Sequence, residues 1–244
     1  MGGGASVHRV SADVLIKDIE CDPRIGAVTE EEAIETIAKG FCGTESAPKE
    51  DLINWILGPR FTAHDSPERI DMCRYNGKFA VASATKKGTV LGLRDPDTKE
   101  VLGVLLVRRT PETMSEMMST MGKCGKPPHM KSSVYGKEPF KRDGAVEKAM
   151  KNLAHGVKNC YILYTLAVKP EHQGKGIASA LVRSALFKLA DRDGLPIYVD
   201  CAGERLEKLY AHLGFVRERQ VELLDPTKQE GSGSIGMVSM MRRP

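Results

Sequence analysis

The sequence predicts an α/β fold in which helices flank a mixed β-sheet. Residues 161–168 and 196–201 are apolar and β-branched runs, and an amphipathic helical pattern lies between them. A strand, a helix and a second strand in this order place the two strands in parallel. Residues 89–94 and 101–107 are two further apolar runs around an Asp- and Pro-containing turn, which indicates an antiparallel hairpin. The sheet therefore contains both kinds of strand pair.

Other segments predict the elements around these strands. Residues 28–42 open with Thr29 and three glutamates and continue with helical apolar spacing, which predicts a capped helix. Residues 49–57 predict a second helix that ends at Gly58. The remaining predicted elements are a strand at residues 79–82, a helix at residues 204–213, and two closing strands at residues 216–224 and 235–241.

Residues 111–158 interrupt this regular alternation. A helix is predicted where four methionines share one face, and another at residues 145–154, whereas residues 122–144 are rich in Lys, Gly and Pro and predict no element. We interpret the 111–158 segment as an insertion over the sheet, since long irregular segments are commonly lids or binding loops. We expect its methionines to serve in helix packing or in a pliable substrate wall, rather than in a soft metal site with Cys124, His129 and Met130. The methionines are Met114, Met117, Met118 and Met121.

Composition restricts the classes of function. The net charge of +4 over 244 residues is small and dispersed, which argues against a nucleic-acid partner but suits a site for a polyanion. The six cysteines are too far apart for a zinc or redox motif and indicate a reducing compartment, and we predict no metal. No apolar run reaches the ~20 residues of a membrane span. We therefore expect a cytoplasmic protein.

The sequence predicts one folded domain that follows a short N-terminal segment. Residues 1–9 are predicted to be a flexible N-terminus, and residues 10–244 a single domain. The first six residues also fit the pattern for N-myristoylation at Gly2, the alternatives being a flexible glycine-rich start or an expression remnant.

The turn between the buried strand at 161–168 and its helix predicts an anion site. Gly174 and Gly176 let a ligand approach the backbone, and the free amides and dipole of the following helix attract negative charge. Gln173 adds side-chain donors and Lys175 a positive charge, so we expect a phosphate or pyrophosphate. Ser179 stands where a Rossmann fingerprint needs glycine, and Gly176 where a Walker loop needs Ser or Thr, so neither template fits.

The Q-x-x-G-x-A pattern of residues 173–178 resembles the acetyl-CoA-binding signature of the GNAT superfamily of N-acetyltransferases. Residues 166–170 before it, the L-Y-x-x-x-G-F segment at residues 209–215 and the final strand at 237–242 are similar to the same family. The resemblance is specific over residues 161–224 and generic elsewhere. It implies a mostly antiparallel sheet of six to seven strands with a central parallel pair that splays apart.

The resemblance implies acetyl-CoA as cosubstrate and a direct transfer of its acetyl group to a primary amine in a ternary complex. The pantetheine arm would lie in the gap between the splayed strands, like an added strand, with a strand amide near Leu166 polarising the thioester carbonyl. The residues implied in binding acetyl-CoA are Leu166, Ala167, Val168, Gln173, Gly174, Lys175, Gly176, Ile177, Ala178 and Ser179.

Two roles in proton transfer follow from the same resemblance. Tyr210 matches the position that protonates the departing thiolate, and the alternative is that it only packs against the pantetheine arm. Many relatives carry a carboxylate base on the buried strand, but residues 161–168 contain no Asp or Glu. Asp200 is the carboxylate candidate because its strand lines the same gap. Tyr164, Thr165, a residue of the 111–158 segment and solvent remain open alternatives.

The acceptor half is less defined by the sequence. We expect a small-molecule amine as the acceptor, because the 111–158 segment would close a pocket. Three alternatives remain: a protein or peptide acceptor, a longer acyl donor, and an acyl-CoA sensor without turnover.

Two single positions carry further expectations. Gly203 stands where relatives often carry Asn, and His172 is expected to be a surface residue or a phosphate neighbour. Six basic residues of the 111–158 segment are expected to lie in a solvated loop, and the alternative is contact with the CoA 3′-phosphate or with an acidic substrate. They are Lys123, Lys126, Lys131, Lys137, Lys141 and Arg142.

Overall fold

The computed structural model describes residues 19–227 and 233–244, so the predictions for residues 1–9 and Gly2 lie outside the described residues. Seven strands form one sheet in the order β1-β2-β3-β4-β5-β7-β6. Neighbouring strands are antiparallel except for β4 and β5, which are parallel, as predicted. The strands are β1 (Ile25–Ala27), β2 (Gly88–Arg94), β3 (Val101–Arg108), β4 (Tyr161–Val168), β5 (Ile197–Ala202), β6 (Val216–Leu223) and β7 (Ile235–Arg242).

Helices cover both faces of the sheet. The first seven are α1 (Glu30–Cys42), α2 (Asp51–Leu57), α3 (Pro67–Lys87), α4 (Met114–Cys124), α5 (Pro128–Lys131), α6 (Glu138–Leu153) and, after β4, the continuous helix α7. Helix α7 begins as Ile177–Leu181, widens into a π-helix over Val182–Phe187 and ends as Lys188–Asp193, and α8 spans Glu204–His212. Over residues 19–227 and 233–244, none of these helices has the length and apolar character to cross a bilayer.

Local signals account for the ends of the predicted helices. At α1 the Thr29 hydroxyl accepts the Glu32 N–H at 3.2 Å, and the Glu32 carboxylate accepts the Thr29 N–H at 2.8 Å. These two bonds form the predicted capping box and satisfy helix donors that lack an internal partner. Helix α2 begins at a different cap, where the Glu50 carboxylate accepts the Ile53 N–H at 2.6 Å.

The strand predicted at residues 79–82 is wrong, because these residues belong to α3. Ser66 caps α3 by accepting the Arg69 N–H at 3.3 Å, and Pro67 occupies its first turn, where a missing N–H costs nothing. Cys73, Ala80 and Ala84 are buried at helical spacing. A short apolar run alone does not distinguish a strand from one face of a buried helix.

Residues 122–144 contain structure where none was predicted. Helix α5 lies there, and α6 begins at Glu138, seven residues before its predicted start. The early turns of α6 bury Pro139 and Arg142, and an arginine among apolar positions hides the amphipathic pattern. The packing expected of the α4 methionines is also wrong for two of them, since Met114 and Met118 are 49% and 59% exposed.

The arrangement of β4 creates the gap that matters for function. It pairs with β5 only at Tyr161–Ile197 and Ile162–Tyr198, after which the two strands separate as predicted. On its other edge β4 pairs with β3, where Leu106 lies opposite Thr165 but Val107 opposite Leu163. Tyr164 is therefore the extra residue of a β-bulge, a feature that bends a strand and leaves a residue unpaired.

Candidate active site

A cavity of about 600 Å³ opens where β4 and β5 separate. One wall consists of residues 163–168 of β4 and residues 199–202 of β5, and a second consists of residues 172–174 and 176–179 at the start of α7. Residues of α1, α2, α3, α6, α8 and β7 complete it, with Pro48 and Glu50. The structure therefore brings the predicted cofactor turn, Asp200 and Tyr210 to one cavity.

The turn before α7 exposes a row of backbone donors. Gly174 and Gly176 have φ values of +75° and +78°, and an added Cβ at either would meet no atom within 4 Å. Glycine is thus required there by backbone conformation rather than by crowding. The first backbone bond of α7 runs from Ala180 N to Gly176 O at 2.9 Å. Among the described residues the N–H groups of residues 174–179 find no acceptor, which is the arrangement that binds phosphate oxygens.

The side chains of this turn differ in where they point. Gln173 donates from Nε2 to the Val168 carbonyl at 3.2 Å, so at least one of its predicted ligand donors instead ties the turn to the end of β4. Lys175 is exposed and lies outside the cavity wall. His172 lines the cavity beside the turn, which makes it a neighbour of any phosphate bound there.

The edge of β4 that faces the cavity is open. Leu166, Ala167 and Val168 pair with β3 on one side, but β5 contacts β4 only at Tyr161 and Ile162. The backbone groups on the β5 side of residues 163–168 are therefore available to an extended ligand that adds to the strand.

Tyr210 lies on α8 in the cavity wall and is 6% exposed. Burial raises its pKa well above the usual value, and the nearby Cys201, Asp200 and Glu50 raise it further. Its ring packs edge-on against Phe215 with 5.6 Å between centroids. The phenol therefore stays protonated at neutral pH, which is the form that donates a proton.

Asp200 lines the same cavity from β5. Burial raises the pKa of its carboxyl group to about 6. A carboxylate with this pKa is mostly ionised at neutral pH and is a better proton acceptor than an exposed aspartate, whose pKa is about 4.

Glu50 is a cavity residue that the sequence analysis missed. One of its carboxylate oxygens caps α2, and burial raises its pKa. Glu50 and Asp200 both raise the pKa of Tyr210, and all three residues line the same cavity. The only signal in the sequence was the place of Glu50 at the start of a predicted helix, and nothing local places that helix beside β5.

The structure shows what the alternative bases do. The Tyr164 hydroxyl donates to Glu112 Oε2 at 3.1 Å, and Thr165 Oγ1 donates to the Tyr164 carbonyl at 2.8 Å. Both residues belong to the cavity wall, and their hydroxyl protons are already engaged in these bonds. Gly203, where relatives often carry Asn, has φ +82°, and a Cβ would stand 2.7 Å from Asp51 Oδ2, so local geometry favours glycine.

The basic residues of the 111–158 segment separate into two groups. Arg142 is fully buried in α6 and bonded to Asp225, so the expectation that it lies in a solvated loop is wrong. The other five are exposed, namely Lys123, Lys126, Lys131, Lys137 and Lys141.

Comparison with known proteins identifies relatives of part of this chain. Residues 142–217 match the family model of the acetyltransferase (GNAT) domain. A stretch of 63 residues is 33% identical to an uncharacterized N-acetyltransferase of Schizosaccharomyces pombe, covering 26% of this chain and 25% of that protein. The chain thus spans about a quarter of that relative's length.

Solved structures show the same fold over most of the chain. Arylalkylamine N-acetyltransferase 2 of Aedes aegypti aligns with a TM-score of 0.56 at 15% identity, over 90% of this chain and 98% of that one. A polyamine N-acetyltransferase of Drosophila melanogaster, which catalyses the formation of N-acetylagmatine, aligns with a TM-score of 0.54 at 13% identity, over 90% and 99%. At such identities the likeness establishes the fold.

Proposed function

We propose that this chain, whose residues 142–217 match the model of the acetyltransferase (GNAT) domain, is an acetyltransferase that moves the acetyl group of acetyl-CoA to the primary amine of a small molecule. The observation that carries the proposal is the single cavity that joins the free amides of residues 174–179, the open edge of β4 and the cluster of Glu50, Asp200 and Tyr210. A phosphate site, an extended groove and a proton-transfer site are the three parts that such a reaction needs.

The donor half of the cavity fits acetyl-CoA. The pyrophosphate would accept hydrogen bonds from the amides of residues 174–179, with Lys175 and His172 beside it. The pantetheine arm would lie along residues 166–168, and its amide groups would pair with the open strand edge. This placement directs the thioester toward Asp200 and Tyr210, so that proximity contributes to the rate.

The proposed chemistry is a direct transfer. The neutral amine nitrogen forms a bond to the thioester carbonyl carbon, and the C–S bond breaks. Asp200, directly or through a water molecule, takes the proton that the amine loses, and Tyr210 gives its phenolic proton to the departing thiolate. A backbone N–H near Leu166 would stabilise the negative charge on the carbonyl oxygen. Glu50 is a second acidic side chain in the cavity, and burial raises its pKa.

The acceptor half favours a small amine with an apolar body. Phe41, Ile53 and Ile56 give the cavity an apolar wall, and Met150 of α6 closes it from the 111–158 segment, which we propose is an insertion within a single domain. The carboxylates of Glu50 and Asp200 stand in that setting. Apolar lining with a few polar groups is typical of small-molecule sites. The two aligned enzymes, a polyamine N-acetyltransferase and an arylalkylamine N-acetyltransferase, support the same class of acceptor.

The test is a thiol-release assay with purified protein, acetyl-CoA and separate panels of arylalkylamines, linear polyamines and amine-bearing peptides. We expect free CoA and a product 42 Da heavier than the amine, by mass spectrometry, from a member of the first two panels, as one acetyl group replaces one hydrogen. Product from peptides alone would favour a peptide acetyltransferase. Binding of acetyl-CoA with no release on any amine would favour a sensor, and absence of binding would contradict both.

A further inference from the structure

Tyr164 connects the cavity to the 111–158 segment. It is the extra residue of the β4 bulge, it is one of the residues that line the cavity, and its hydroxyl donates to Glu112 Oε2 at 3.1 Å. Glu112 lies just before the Thr113 cap of α4. The bond therefore links β4, the strand along which acetyl-CoA would lie, to the 111–158 segment, which lies outside the sheet.

Glu112 is itself held in place. Its other oxygen lies 3.2 Å from the Thr120 hydroxyl, which shares its one proton between Glu112 Oε1 and the Glu116 carbonyl oxygen at 2.8 Å, and Lys86 Nζ donates to Thr120 Oγ1 at 2.7 Å. Thr120 is buried in α4, and Lys86 belongs to the last turn of α3. The Glu112 carboxylate is thus fixed between two helices and presents one oxygen to Tyr164.

The Tyr164 ring is supported from a second side by Arg108. The guanidinium carbon lies 5.7 Å from the ring centroid, within the range of a cation–π contact. Arg108 is fully buried, and its Nη1 donates to Ser83 Oγ at 2.7 Å. Glu116 of α4 also pairs with the Arg108 guanidinium, at 3.3 Å. Residues 112–116 therefore support Tyr164 directly through Glu112 and indirectly through the pairing of Glu116 with Arg108.

We propose that Glu112 is a positioning residue for acetyl-CoA: by holding the Tyr164 hydroxyl it fixes the bulge, and with it the orientation of the open β4 edge at residues 164–166. This inference rests on the proposed function. A bulged residue lacks ladder bonds on the bulged strand, so its conformation depends on side-chain anchors. The start of the 111–158 segment then contributes to binding acetyl-CoA, in addition to the proposed contribution of this segment to the pocket for the amine.

The consequence is specific to one ligand. Loss of the Glu112–Tyr164 bond should weaken binding of CoA and raise KM for acetyl-CoA, whereas KM for the amine should hardly change. A hydrogen bond to a charged acceptor supports an effect of about tenfold. Glu112→Gln keeps a carbonyl oxygen that accepts the Tyr164 hydroxyl, so it should retain most of the affinity that Glu112→Ala loses.

A double-mutant cycle tests the proposal. The dissociation constant for CoA is measured by calorimetry for the wild-type protein, Glu112→Ala, Tyr164→Phe, the double variant and Glu112→Gln, with melting temperatures recorded alongside. Glu147→Ala is the matched control, since Glu147 is a half-buried carboxylate of the same segment whose ion pair is with Lys151, among residues 19–227 and 233–244. We expect the double variant to be no weaker than the weaker single variant, with rescue by Gln and no effect of the control.

Three results would overturn the proposal. Wild-type affinity in both Glu112→Ala and Tyr164→Phe is one, and additive losses in the double variant are another. If Glu112→Ala does not fold, Tyr164→Phe, which removes only the hydroxyl, decides between the outcomes. Absence of CoA binding by the wild-type protein would contradict the proposed function as well, whereas binding that is insensitive to Glu112 contradicts this inference alone.

Discussion

Arg142 and Asp225 form a buried ion pair with two parallel bonds, from Nε to Oδ1 at 3.1 Å and from Nη2 to Oδ2 at 2.9 Å. Their side chains are 0% and 5% exposed. Arg142 Nη1 also donates to the Ile56 carbonyl at 3.4 Å, at the end of α2. The pair therefore joins α6, α2 and the chain after β6, and α2 supplies part of the cavity wall.

We predict that Arg142→Met lowers the free energy of unfolding by about 3–5 kcal/mol, because it leaves the buried Asp225 carboxylate without its guanidinium. Urea denaturation at neutral pH measures the change. Lys141→Met is the control, since Lys141 is the exposed neighbour and its replacement should stay within about 0.5 kcal/mol. A loss in Arg142→Met no larger than in the control would contradict the prediction.

Asp200 should make the reaction pH-dependent in a defined direction. Because a base must be ionised, kcat/KM of the wild-type protein relative to Asp200→Asn should fall about tenfold per pH unit below pH 6 and be constant above it, given a pKa of about 6. The ratio of the two profiles cancels the titration of the amine substrate. A ratio that is flat between pH 5 and about 8 would exclude Asp200 as the base. Glu50→Gln, profiled in the same way, tests the other cavity carboxylate.

The same pKa predicts an effect on stability. The folded protein holds the Asp200 proton up to about pH 6, whereas the carboxyl group ordinarily releases it near 3.8, so ionised Asp200 destabilises the fold above pH 6. Asp200→Asn should therefore melt at a higher temperature than the wild-type protein at pH 8, and the gain should disappear below pH 3.8. Thermal unfolding across this range checks the sign, and a gain that persists in acid would refute it.

Tyr210→Phe should lower kcat by about 100-fold with little change in CoA affinity, because it removes only the proton donor for the thiolate. The substitution keeps the buried ring and its edge-on contact with Phe215, so the melting temperature should hardly move. Steady-state kinetics, calorimetry and thermal unfolding separate these effects. Full turnover in this variant would leave Tyr210 with a packing role only.

Gly176 and Gly194 offer a matched pair at the two ends of α7. Their φ values are +78° and +63°, and neither site would crowd an added Cβ. Alanine at either position should cost about 1 kcal/mol of stability, the penalty for an L-residue in the left-handed region. Only Gly176→Ala should also weaken CoA binding, as Gly194 lies outside the cavity wall. Equal CoA affinity in the two variants would remove Gly176 from the proposed phosphate site.

Much of the fold was predictable because its signals are local. The capping box of α1, the β4–α7–β5 unit and the glycines of the phosphate turn are each encoded within a few consecutive residues. Strand and helix periods differ, so an element long enough to show its period reveals its type. Residues 79–82 were wrongly predicted to form a strand because four consecutive apolar residues are too few to show a strand or a helix period.

The sequence by itself determined the elements of the proposed acetyl-CoA site: a buried strand, a turn that requires glycine, and the helix that follows. Only the tertiary structure decided that Glu50 joins Asp200 and Tyr210, that Glu112 holds Tyr164, and that Arg142 meets a carboxylate 83 residues away. These contacts depend on which faces of distant helices meet across the sheet. Packing of the whole chain determines which helix faces meet, and residue spacing within one segment does not predict it.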